Sequence, residues 1–330
     1  LILFCTEIMP LDHSQVAFLV IADDQVGQRL DNFLLTRLKG LPKSRLYRLL
    51  RKGEIRVNKK RVAPAYRLVE GDSVRLPPIR LEQKGAPMAV SKALAEHLMA
   101  SVIFENDDFL VLNKPAGLAV HGGSGVHLGV IEALRQLHAD GSRLELVHRL
   151  DRDTSGCLLI ARKRSALKSA HALFRENKVN KTYLALVKGR WPAGLTVVNA
   201  PLRKNTLLSG ERMVVTAADG KPSRTRFKLL RHIGPYSLVE ASPETGRTHQ
   251  IRVHLAKVGH ALVGDQTYGQ GRKVSAKALG EAAAEAARTF PRQALHAASL
   301  GFVHPTTGET LSFRSDLPDD LAALERALAG

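Results

Sequence analysis

The sequence has little cysteine and no long apolar run, and each shortage removes a class of protein. Cys5 and Cys157 are the only cysteines among 330 residues, too few and too far apart for a disulfide framework or a four-ligand zinc site. No window approaches the roughly 18–20 uninterrupted apolar residues of a membrane-spanning helix, and the opening residues lack the basic start of a secretory signal. We therefore expect a cytoplasmic protein without metal or disulfide chemistry.

Two common hydrolase signatures are also missing. A serine hydrolase carries its nucleophile in a G-x-S-x-G turn, and no such pentapeptide occurs in the chain. Residues 153–156 read DTSG, as in an aspartic protease, but that mechanism needs two carboxylates that share a proton, and no second copy follows. Hydrolysis by either mechanism is therefore not expected.

What the sequence has in excess is positive charge. Its 49 lysines and arginines outnumber 31 acidic residues, which gives a net charge of +18. An excess of this size favours a polyanionic partner. A membrane surface would call for a basic amphipathic helix with exposed aromatics or for a lipidation signal, and neither is evident. Nucleic acid is the leading candidate.

Most of this charge lies near the N-terminus. Residues 27–80 hold 15 basic and four acidic residues, so this segment contributes +11 of the total. A single cationic helix face is most often a solvated surface, but here the basic residues continue beyond the predicted helix, which favours phosphate contacts with RNA. The residues expected to make them are Lys43, Arg45, Arg48, Arg51, Lys52, Arg56, Lys59, Lys60 and Arg61.

The same segment predicts a small unit of two helices and a hairpin. Apolar residues recur at helical spacing over residues 30–38, and again from a Ser44 cap to a stop at Gly53. Each helix therefore has one apolar face, and the second also has a cationic face. Apolar residues then alternate on both sides of a turn at 58–60, as far as Val62, which predicts the hairpin.

Three segments of this unit, GQRLDNFL from residue 27, PKSR from residue 42 and GEIRVN from residue 53, resemble an S4 RNA-binding domain. We accordingly divide the chain into an N-terminal tail at 1–20, an S4 domain at 21–81, a linker at 82–100 and a larger domain at 101–330. The chain begins with Leu1, and the polar stretch after Met9 leads us to expect that translation starts at Met9.

The larger domain is expected to be α+β. Strand-like runs occur at 102–105, 109–112, 157–161, 183–187 and 237–241. Shorter helical stretches alternate with these runs. Residues 205–221, rich in Lys, Arg, Ser and Gly, predict a loop that contacts RNA, although an ordinary solvated loop is the alternative. An Ala/Glu-rich stretch within 270–290 predicts an exposed helix or a mobile insertion.

A dense polar segment, HRLDRDTSG at residues 148–156, immediately precedes an apolar strand. Pattern alone favours a turn whose acids and hydroxyls bind backbone N–H groups. The segment nevertheless resembles the signature of the RluA-type pseudouridine synthases. Three further segments fit that family in the right order: KPAGLAVH from residue 114, KTYLALV from residue 181 and TGRTHQIRVH from residue 245. The resemblance runs from about Gly27 to Phe313 and is greatest to the branch that modifies large-subunit ribosomal RNA.

The resemblance implies a catalytic domain with a mixed, mainly antiparallel sheet and Asp151 as the catalytic residue. Arg252 matches the family's active-site arginine, which is expected to pair with Asp151, and Tyr183 would stack on the uracil. Without the resemblance, Arg252 could equally bind a phosphate, and Tyr183 could be a half-buried strand residue.

Other positions in these motifs are expected to bind the substrate. Leu295 would close the other side of the base, and Arg149 would enter the space that a flipped uridine leaves. Core packing and a phosphate contact are the respective alternatives. The remaining expected substrate-binding residues are Arg247, His249, Gln250 and Lys114.

The implied reaction is the isomerisation of uridine to pseudouridine in 23S ribosomal RNA, at more than one site near the peptidyl transferase centre. Nothing is oxidised, added or lost, so we expect one carboxylate to suffice, with no cofactor, metal or second protein subunit. A non-catalytic S4-type RNA-binding protein, an RNA N-glycosidase that releases the base, and a pseudouridine synthase of another RNA remain open as alternatives.

Overall fold

The structure is a computed structural model that describes residues 15–38, 40–79, 88–122, 128–206, 212–270 and 280–330. The chain divides into two compact units, Leu1–Pro87 and Met88–Gly330. Met9, the expected start of translation, lies outside the described residues. Among those residues, no helix is both long and apolar enough to cross a membrane.

The first unit combines two helices with a three-stranded antiparallel sheet. Its elements are β1 (Ala17–Val20), a 3₁₀ turn (Asp23–Gln25), α1 (Leu30–Arg37), α2 (Lys43–Lys52), β2 (Arg56–Val57) and β3 (Ser73–Leu76), in the strand order β1-β3-β2. Leu46, Leu49 and Leu50 bury one face of α2 in a shared core. Ser44 lies inside α2 rather than at its cap. The helix ends as predicted at Gly53, whose φ of 71° is the left-handed conformation that glycine adopts without steric cost.

Strand pairing in this unit differs from the prediction. The hairpin expected around 58–60 is not formed: Val57 bridges only across the turn, and β2 then pairs with β3, which lies farther along the chain. The turn is tight because Asn58 and Lys59 both have positive φ. Of the tail expected at 1–20, the structure describes residues 15–20, and within them β1 pairs with β3 along four residues.

The second unit is built on a ten-stranded mixed sheet, in agreement with the expected α+β class. The strands of this unit are β4 (Val102–Glu105), β5 (Phe109–Lys114), β6 (Glu145–Leu146), β7 (Ser155–Ala161), β8 (Asn180–Lys188), β9 (Val197–Asn199), β10 (Leu202–Thr206), β11 (Arg212–Thr216), β12 (Arg224–Ile233), β13 (Tyr236–Pro243), β14 (Leu295–Val303) and β15 (Thr310–Arg314). The sheet runs β4-β5-β7-β14-β8-β13-β12-β9, with β15 on β14 and β6 on β7. Strands β10 and β11 pair antiparallel apart from this sheet, and β11 with the last two residues of β10 lies in the stretch 205–221 that was expected to be a loop.

The helices of this unit are α3 (Lys92–Ala100), α4 (Val130–Leu137), α5 (Arg164–Arg175), α6 (Gln250–Lys257), α7 (Glu281–Thr289) and α8 (Asp319–Ala329), with a 3₁₀ turn at Gly141–Arg143. Helix α3 occupies residues 92–100 of the linker expected at 82–100, and residues 82–87 lie outside the described ranges. The hydroxyl of Ser91 caps its N-terminus, and Leu98 is fully buried in the core of the second unit. Helix α7 lies in the Ala/Glu-rich stretch and buries Ala283.

The central strands carry the candidate site. Strand β14 lies between β7, to which it is parallel, and β8, to which it is antiparallel. A Cβ atom at Gly156 would lie only 2.2 Å from the carbonyl oxygen of Ala297, so glycine is required for β7 to approach β14. This approach gathers the loop before β7, the start of β14 and the middle of β8 at one place.

Candidate active site

Asp151 lies in the loop that leads into β7, and its carboxylate meets a helix from a distant part of the chain. Its Oδ2 accepts a hydrogen bond from Nη1 of Arg252, on α6, at 3.1 Å. The Asp151 side chain remains 25% exposed, whereas that of Arg252 is only 8% exposed. A charged pair in this position is both oriented by the protein and open to a ligand.

A second carboxylate, Asp265, fixes the guanidinium of Arg252 from behind. Nε and Nη2 of Arg252 donate to its two oxygens at 2.8 and 2.9 Å, and its side chain is 1% exposed. Burial would lower the pKa of Arg252, but hydrogen bonds and charge from Asp265, and then from Asp151, outweigh it and raise the pKa. Burial would likewise raise the pKa of Asp265, but Arg252 holds it below its ordinary value. Both groups are therefore ionised at neutral pH.

Tyr268 completes the support of this pair. Its ring lies under the guanidinium of Arg252, with 4.9 Å from Cζ to the ring centroid. Its hydroxyl accepts from the backbone N–H of Val214 at 3.0 Å and lies 2.9 Å from Nδ1 of His249. The hydroxyl proton is then best donated to Nδ1, which leaves the proton of His249 on Nε2, 3.8 Å from Asp151. Burial lowers the pKa of His249, despite the opposing charge of Asp151.

Asp151 and Arg252 open onto a cavity of 360 Å³, the base cavity. Its apolar walls include Phe174, Tyr183, Pro243, Ile251 and Leu295. Tyr183 projects from β8, and Leu295 begins β14 and is otherwise part of the core. Burial, and then the charge of Asp151, raises the pKa of Tyr183, so the side chain stays a neutral phenol. Among the described residues that line the cavity, Asp151 is the only acid.

A second cavity of 370 Å³ is also lined by Asp151. Arg149, Asp151, His249 and Arg252 contribute to both cavities. Arg149 is exposed, so its cationic end can reach a ligand that enters either space. Arg247 is exposed at the rim of the base cavity, where its Nε donates to a backbone carbonyl.

Lys114, an expected substrate-binding residue, lines neither cavity. It is fully buried, and its ammonium group donates to the carbonyl oxygens of Pro115, Leu118 and Arg152. Burial lowers its pKa to about 7, although Asp153 opposes that shift. Lys114 therefore braces the loop that carries Asp151; membership in a motif did not reveal which way its side chain points.

Gln250 also has a supporting position, although it borders the base cavity. Its side-chain oxygen accepts from the Thr245 hydroxyl at 2.7 Å and from the Arg247 N–H at 3.0 Å. Its amide donates to the Thr225 hydroxyl at 3.0 Å. All of its polar atoms are thus engaged within the protein, and Gln250 shapes the loop at 245–247 rather than offering hydrogen bonds to a ligand.

Two further residues tie the Asp151 loop to the chain before β14. Arg292 donates to the backbone oxygen of Asp153 at 3.0 Å and forms a two-pronged ion pair with Asp320 at 2.6 and 2.8 Å. Gln293 donates to the Thr154 hydroxyl at 3.2 Å. The Asp151 loop is therefore bound by Lys114 and by the segment before β14. These contacts keep the carboxylate in one position.

Asp265, Tyr268 and Arg292 were not identified from the sequence. Asp265 offered one weak signal, because Gly264-Asp265 follows an apolar run as a turn would. Gly264 has a φ of 70°, and a Cβ atom there would lie 2.0 Å from the carbonyl oxygen of Arg292. No local pattern connects Asp265 with Arg252, because the contact forms only in the folded chain.

The basic residues expected to contact RNA lie on the first unit. All nine are exposed except Arg45, which is half-buried. Within the part of the chain that the structure describes, no group of three histidine, cysteine or acidic side chains is positioned to hold a metal ion.

Comparisons with known proteins match both units. A family model described as RNA pseudouridylate synthase matches residues 108–257, which include Asp151, Tyr183 and Arg252, and an S4 domain model matches residues 28–74. The "Ribosomal large subunit pseudouridine synthase C" of Pasteurella multocida is 51% identical over 314 residues, covering 95% of this chain and 94% of that protein. The protein of the same name from Escherichia coli strain K12 is 49% identical over 319 residues, covering 95% and 97%.

Two solved structures are also similar to this chain. "Human RNA Pseudouridylate Synthase Domain Containing 4" superposes with a TM-score of 0.59 at 28% identity, over 72% of this chain and 95% of that one. "Human RNA Pseudouridylate Synthase Domain Containing 1" gives 0.54 at 31% identity, over 72% and 90%.

Proposed function

Because this chain belongs to the RNA pseudouridylate synthase family, we propose that it isomerises uridines of 23S ribosomal RNA in the cytoplasm, at more than one site near the peptidyl transferase centre. The choice of RNA is supported by relatives that are named as large-subunit synthases and match nearly the whole chain. One observation carries the catalytic assignment: Asp151, paired with the buried Arg252, is the only acid among the described residues that line the base cavity.

The reaction balances without any co-reactant. The C1′–N1 bond breaks, the uracil turns, C1′ bonds to C5, the proton on C5 is lost, and N1 gains a proton. Two routes are open to the carboxylate of Asp151: it bonds to C1′ as a nucleophile, or it takes the 2′ proton to give a glycal. In both routes Arg252 orients the carboxylate of Asp151 through their hydrogen bond.

The base cavity supplies walls for the free uracil. In this proposal Tyr183 stacks on one face of the base, Leu295 covers the other face, and both exclude water that would otherwise hydrolyse the intermediate. The exposed Arg149 enters the space that the flipped nucleotide leaves in the RNA, which offsets part of the unstacking cost.

A second carboxylate that activates water would turn an isomerase into a hydrolase. A two-carboxylate glycosidase needs its second acid within about 5–9.5 Å of the first, facing the same sugar. Asp265 is within reach of Arg252, but its oxygens are occupied by that arginine and by the N–H groups of Thr267 and Tyr268. This supports bond migration without release of the base. We propose further that the enzyme acts as a monomer without cofactor or metal.

The experiment compares wild type, Asp151→Asn and Asp107→Asn on unmodified 23S ribosomal RNA, with carbodiimide primer extension to map pseudouridine. Asp151→Asn removes the reacting charge and should lower turnover by about 10⁴-fold or more. Asp107→Asn is the matched control, since its carboxyl group is exposed and lines neither cavity, and it should keep activity. Equal activity of wild type and Asp151→Asn would refute the assignment.

The same assay separates the alternatives. Free uracil in the reaction would identify an N-glycosidase, and absence of any modified uridine with intact RNA binding would identify a non-catalytic binder. Modification of another RNA but not of 23S would correct the substrate. Activity that is lost in chelator and restored by a metal ion would refute the metal-free proposal. The molar mass of the active enzyme, measured by light scattering, tests whether it is a monomer.

A further inference from the structure

We propose that the S4 unit (Leu1–Pro87) carries a nucleobase-binding groove in which Tyr47 is the stacking platform for one unpaired base of the RNA. The groove, here the Tyr47 groove, has a volume of 600 Å³. It is lined by Tyr47, Leu50, Arg51, Arg61, Val62, Ala63 and Pro64. This site is separate from the base cavity of the second unit and takes a nucleotide that is bound but does not react.

The ring of Tyr47 is exposed but held in place. Its hydroxyl donates to Oδ2 of Asp31 at 3.0 Å, while 39% of the residue remains exposed. Asp31 is itself nearly fully buried and accepts from the Arg29 guanidinium at 2.7 and 3.1 Å and from the Asn32 N–H at 2.9 Å. A ring fixed before binding loses little conformational entropy when a base stacks on it.

The acceptor for this hydroxyl stays charged over a wide range of pH. Hydrogen bonds from Arg29 lower the pKa of Asp31 to about 2, although burial opposes the shift. The tyrosine hydroxyl is therefore occupied inside the protein, and what Tyr47 offers outward is the face of its ring. Such a face suits a nucleobase, because every base has a π-face and stacking does not depend on sequence.

Cationic side chains flank the ring in the pattern that single-stranded RNA requires. Lys43 and Arg51 stand four residues before and after Tyr47 on α2, and therefore on the same side of the helix. The aliphatic part of Arg61 packs over Gly53, 3.4 Å from where a Cβ atom would lie, which keeps its guanidinium at the groove. Phosphate contacts from these cations would place an adjacent base at the tyrosine.

The composition of the groove favours RNA over a protein segment as the occupant. Buried Leu50 together with Val62, Ala63 and Pro64 gives the groove an apolar lining beside Tyr47, against which the apolar face of a base can lie. No acid is among the described residues that line it. A fully paired duplex offers no free base face, so the groove would prefer an unpaired or bulged nucleotide to a helix.

The test measures RNA binding by the full chain with Asp151→Asn present throughout, so that no probe is modified. Two fluorescent RNAs serve as probes: a hairpin with an unpaired loop and a duplex of equal length. Adding Tyr47→Leu should weaken hairpin binding by about 5- to 150-fold, as expected from the loss of one stacked base, while duplex binding and the salt dependence stay the same. Tyr47→Phe keeps the ring but loses the hydrogen bond to Asp31, so it should bind the hairpin more tightly than Tyr47→Leu and no more tightly than the parent.

Arg61→Gln serves as the contrasting variant, because loss of a phosphate contact should lower the slope of log Kd against log salt by roughly 0.7–0.9. Thermal unfolding of each variant identifies any that fails to fold. Independently, 4-thiouridine in the hairpin loop should crosslink to the peptide that contains Tyr47 in the chain with native Tyr47. Equal hairpin affinity of Tyr47→Leu and parent, equal weakening of hairpin and duplex, or absence of that crosslink would overturn the proposal.

The inference rests on the proposed function only for its ligand class, RNA. Pseudouridine formation by wild type is therefore measured on 23S ribosomal RNA in parallel. If wild type modifies 23S ribosomal RNA but Tyr47→Leu binds the hairpin as the parent does, only the groove proposal is refuted. If wild type neither modifies nor binds the RNA, the proposed function is refuted.

Discussion

The two units use positive charge in opposite ways. On the S4 unit, the basic side chains of α2 and of the following turn are mostly exposed. In the second unit, Lys114, Arg252 and Arg292 are buried, and protein carbonyls or carboxylates surround each of them. Exposed cations attract phosphates and are screened by salt, whereas buried cations orient the groups that contact them. Neutralising a charge should therefore change affinity in one unit and turnover or stability in the other.

Among the residues that support Asp151, the largest effect is expected from Asp265→Asn, which removes the acid that fixes Arg252. Arg252 would lose its charged support and shift relative to Asp151, and a misplacement of about 1 Å can lower turnover by about 100-fold. Because Asp265 lines neither cavity, kcat should fall while KM for RNA changes little. Steady-state kinetics measure both constants.

Asp107→Asn, at an exposed carboxyl in the same unit, is the control for this comparison. A rise in KM with unchanged kcat in Asp265→Asn would contradict a positioning role and would indicate that Asp265 contacts the substrate.

Lys114→Met should mainly destabilise the protein, because three carbonyl oxygens would lose their donor. We expect the free energy of unfolding to fall by about 2 kcal/mol, with no change in the salt dependence of RNA binding. Denaturant unfolding and binding titrations measure the two quantities. Lys168→Met, at an exposed position of α5, is the matched control. A lower salt slope for Lys114→Met would instead indicate that Lys114 contacts the RNA, as expected from the sequence.

As the pH falls, the second unit should lose stability at a higher pH than the S4 unit. Burial lowers the pKa of His148 to about 4, below its ordinary 6.5, and its neutral Nε2 accepts from the Leu159 N–H. The unfolded chain therefore binds more protons between these values, so this stability is present above pH 6.5 and is lost as pH falls toward 4. For Asp31, with a pKa of about 2 against an ordinary 3.8, the contribution persists above pH 3.8.

Hydrogen exchange of peptides from each unit, at pH 7 and pH 5, measures this difference. Protection should decrease first in the peptides of β7, and His148→Gln should reduce the decrease. Simultaneous loss of protection in both units would contradict the separation.

The smallest effects are expected from single exposed cations of the S4 unit. Lys59→Gln and Lys60→Gln should each weaken binding of 23S RNA by less than about tenfold and lower the salt slope by roughly 0.7–0.9. Turnover at saturating RNA should not change. Glu70→Gln, at an exposed acid of the same unit, should leave the slope unchanged. A fall in kcat for either lysine variant would break the contrast between the two units.

Local patterns predicted the elements that bury one clear face or run. The α2 stripe with its Gly53 stop, and the strands that became β5, β7, β8 and β13, are where the sequence indicated them. Elements that depend on distant partners were missed, as α3 and β1 were, or were given the wrong partner, as β2 was. Helix α3 has only Leu98 fully buried, and β1 and β2 are stabilised by pairing with β3.

For the candidate site, too, the sequence identified some features and only the structure revealed others. The family motifs brought Asp151, Tyr183 and Arg252 to attention, but they also included Lys114 and Gln250, whose polar atoms are engaged within the protein. A motif records which residues occur together, whereas the direction of each side chain follows from strand pairing and burial.

By itself, the sequence determined the family, the two-unit organisation, the location of the positive charge and the single acid on which the chemistry is proposed to depend. Only the tertiary structure decided that Asp265 and Tyr268 support Arg252, and that the ammonium group of Lys114 donates to three carbonyl oxygens inside the protein. The reason is physical: Asp151 and Arg252 are separated by 101 residues, and a contact across that distance is set by how β7, β14 and β8 pack, which local spacing does not encode.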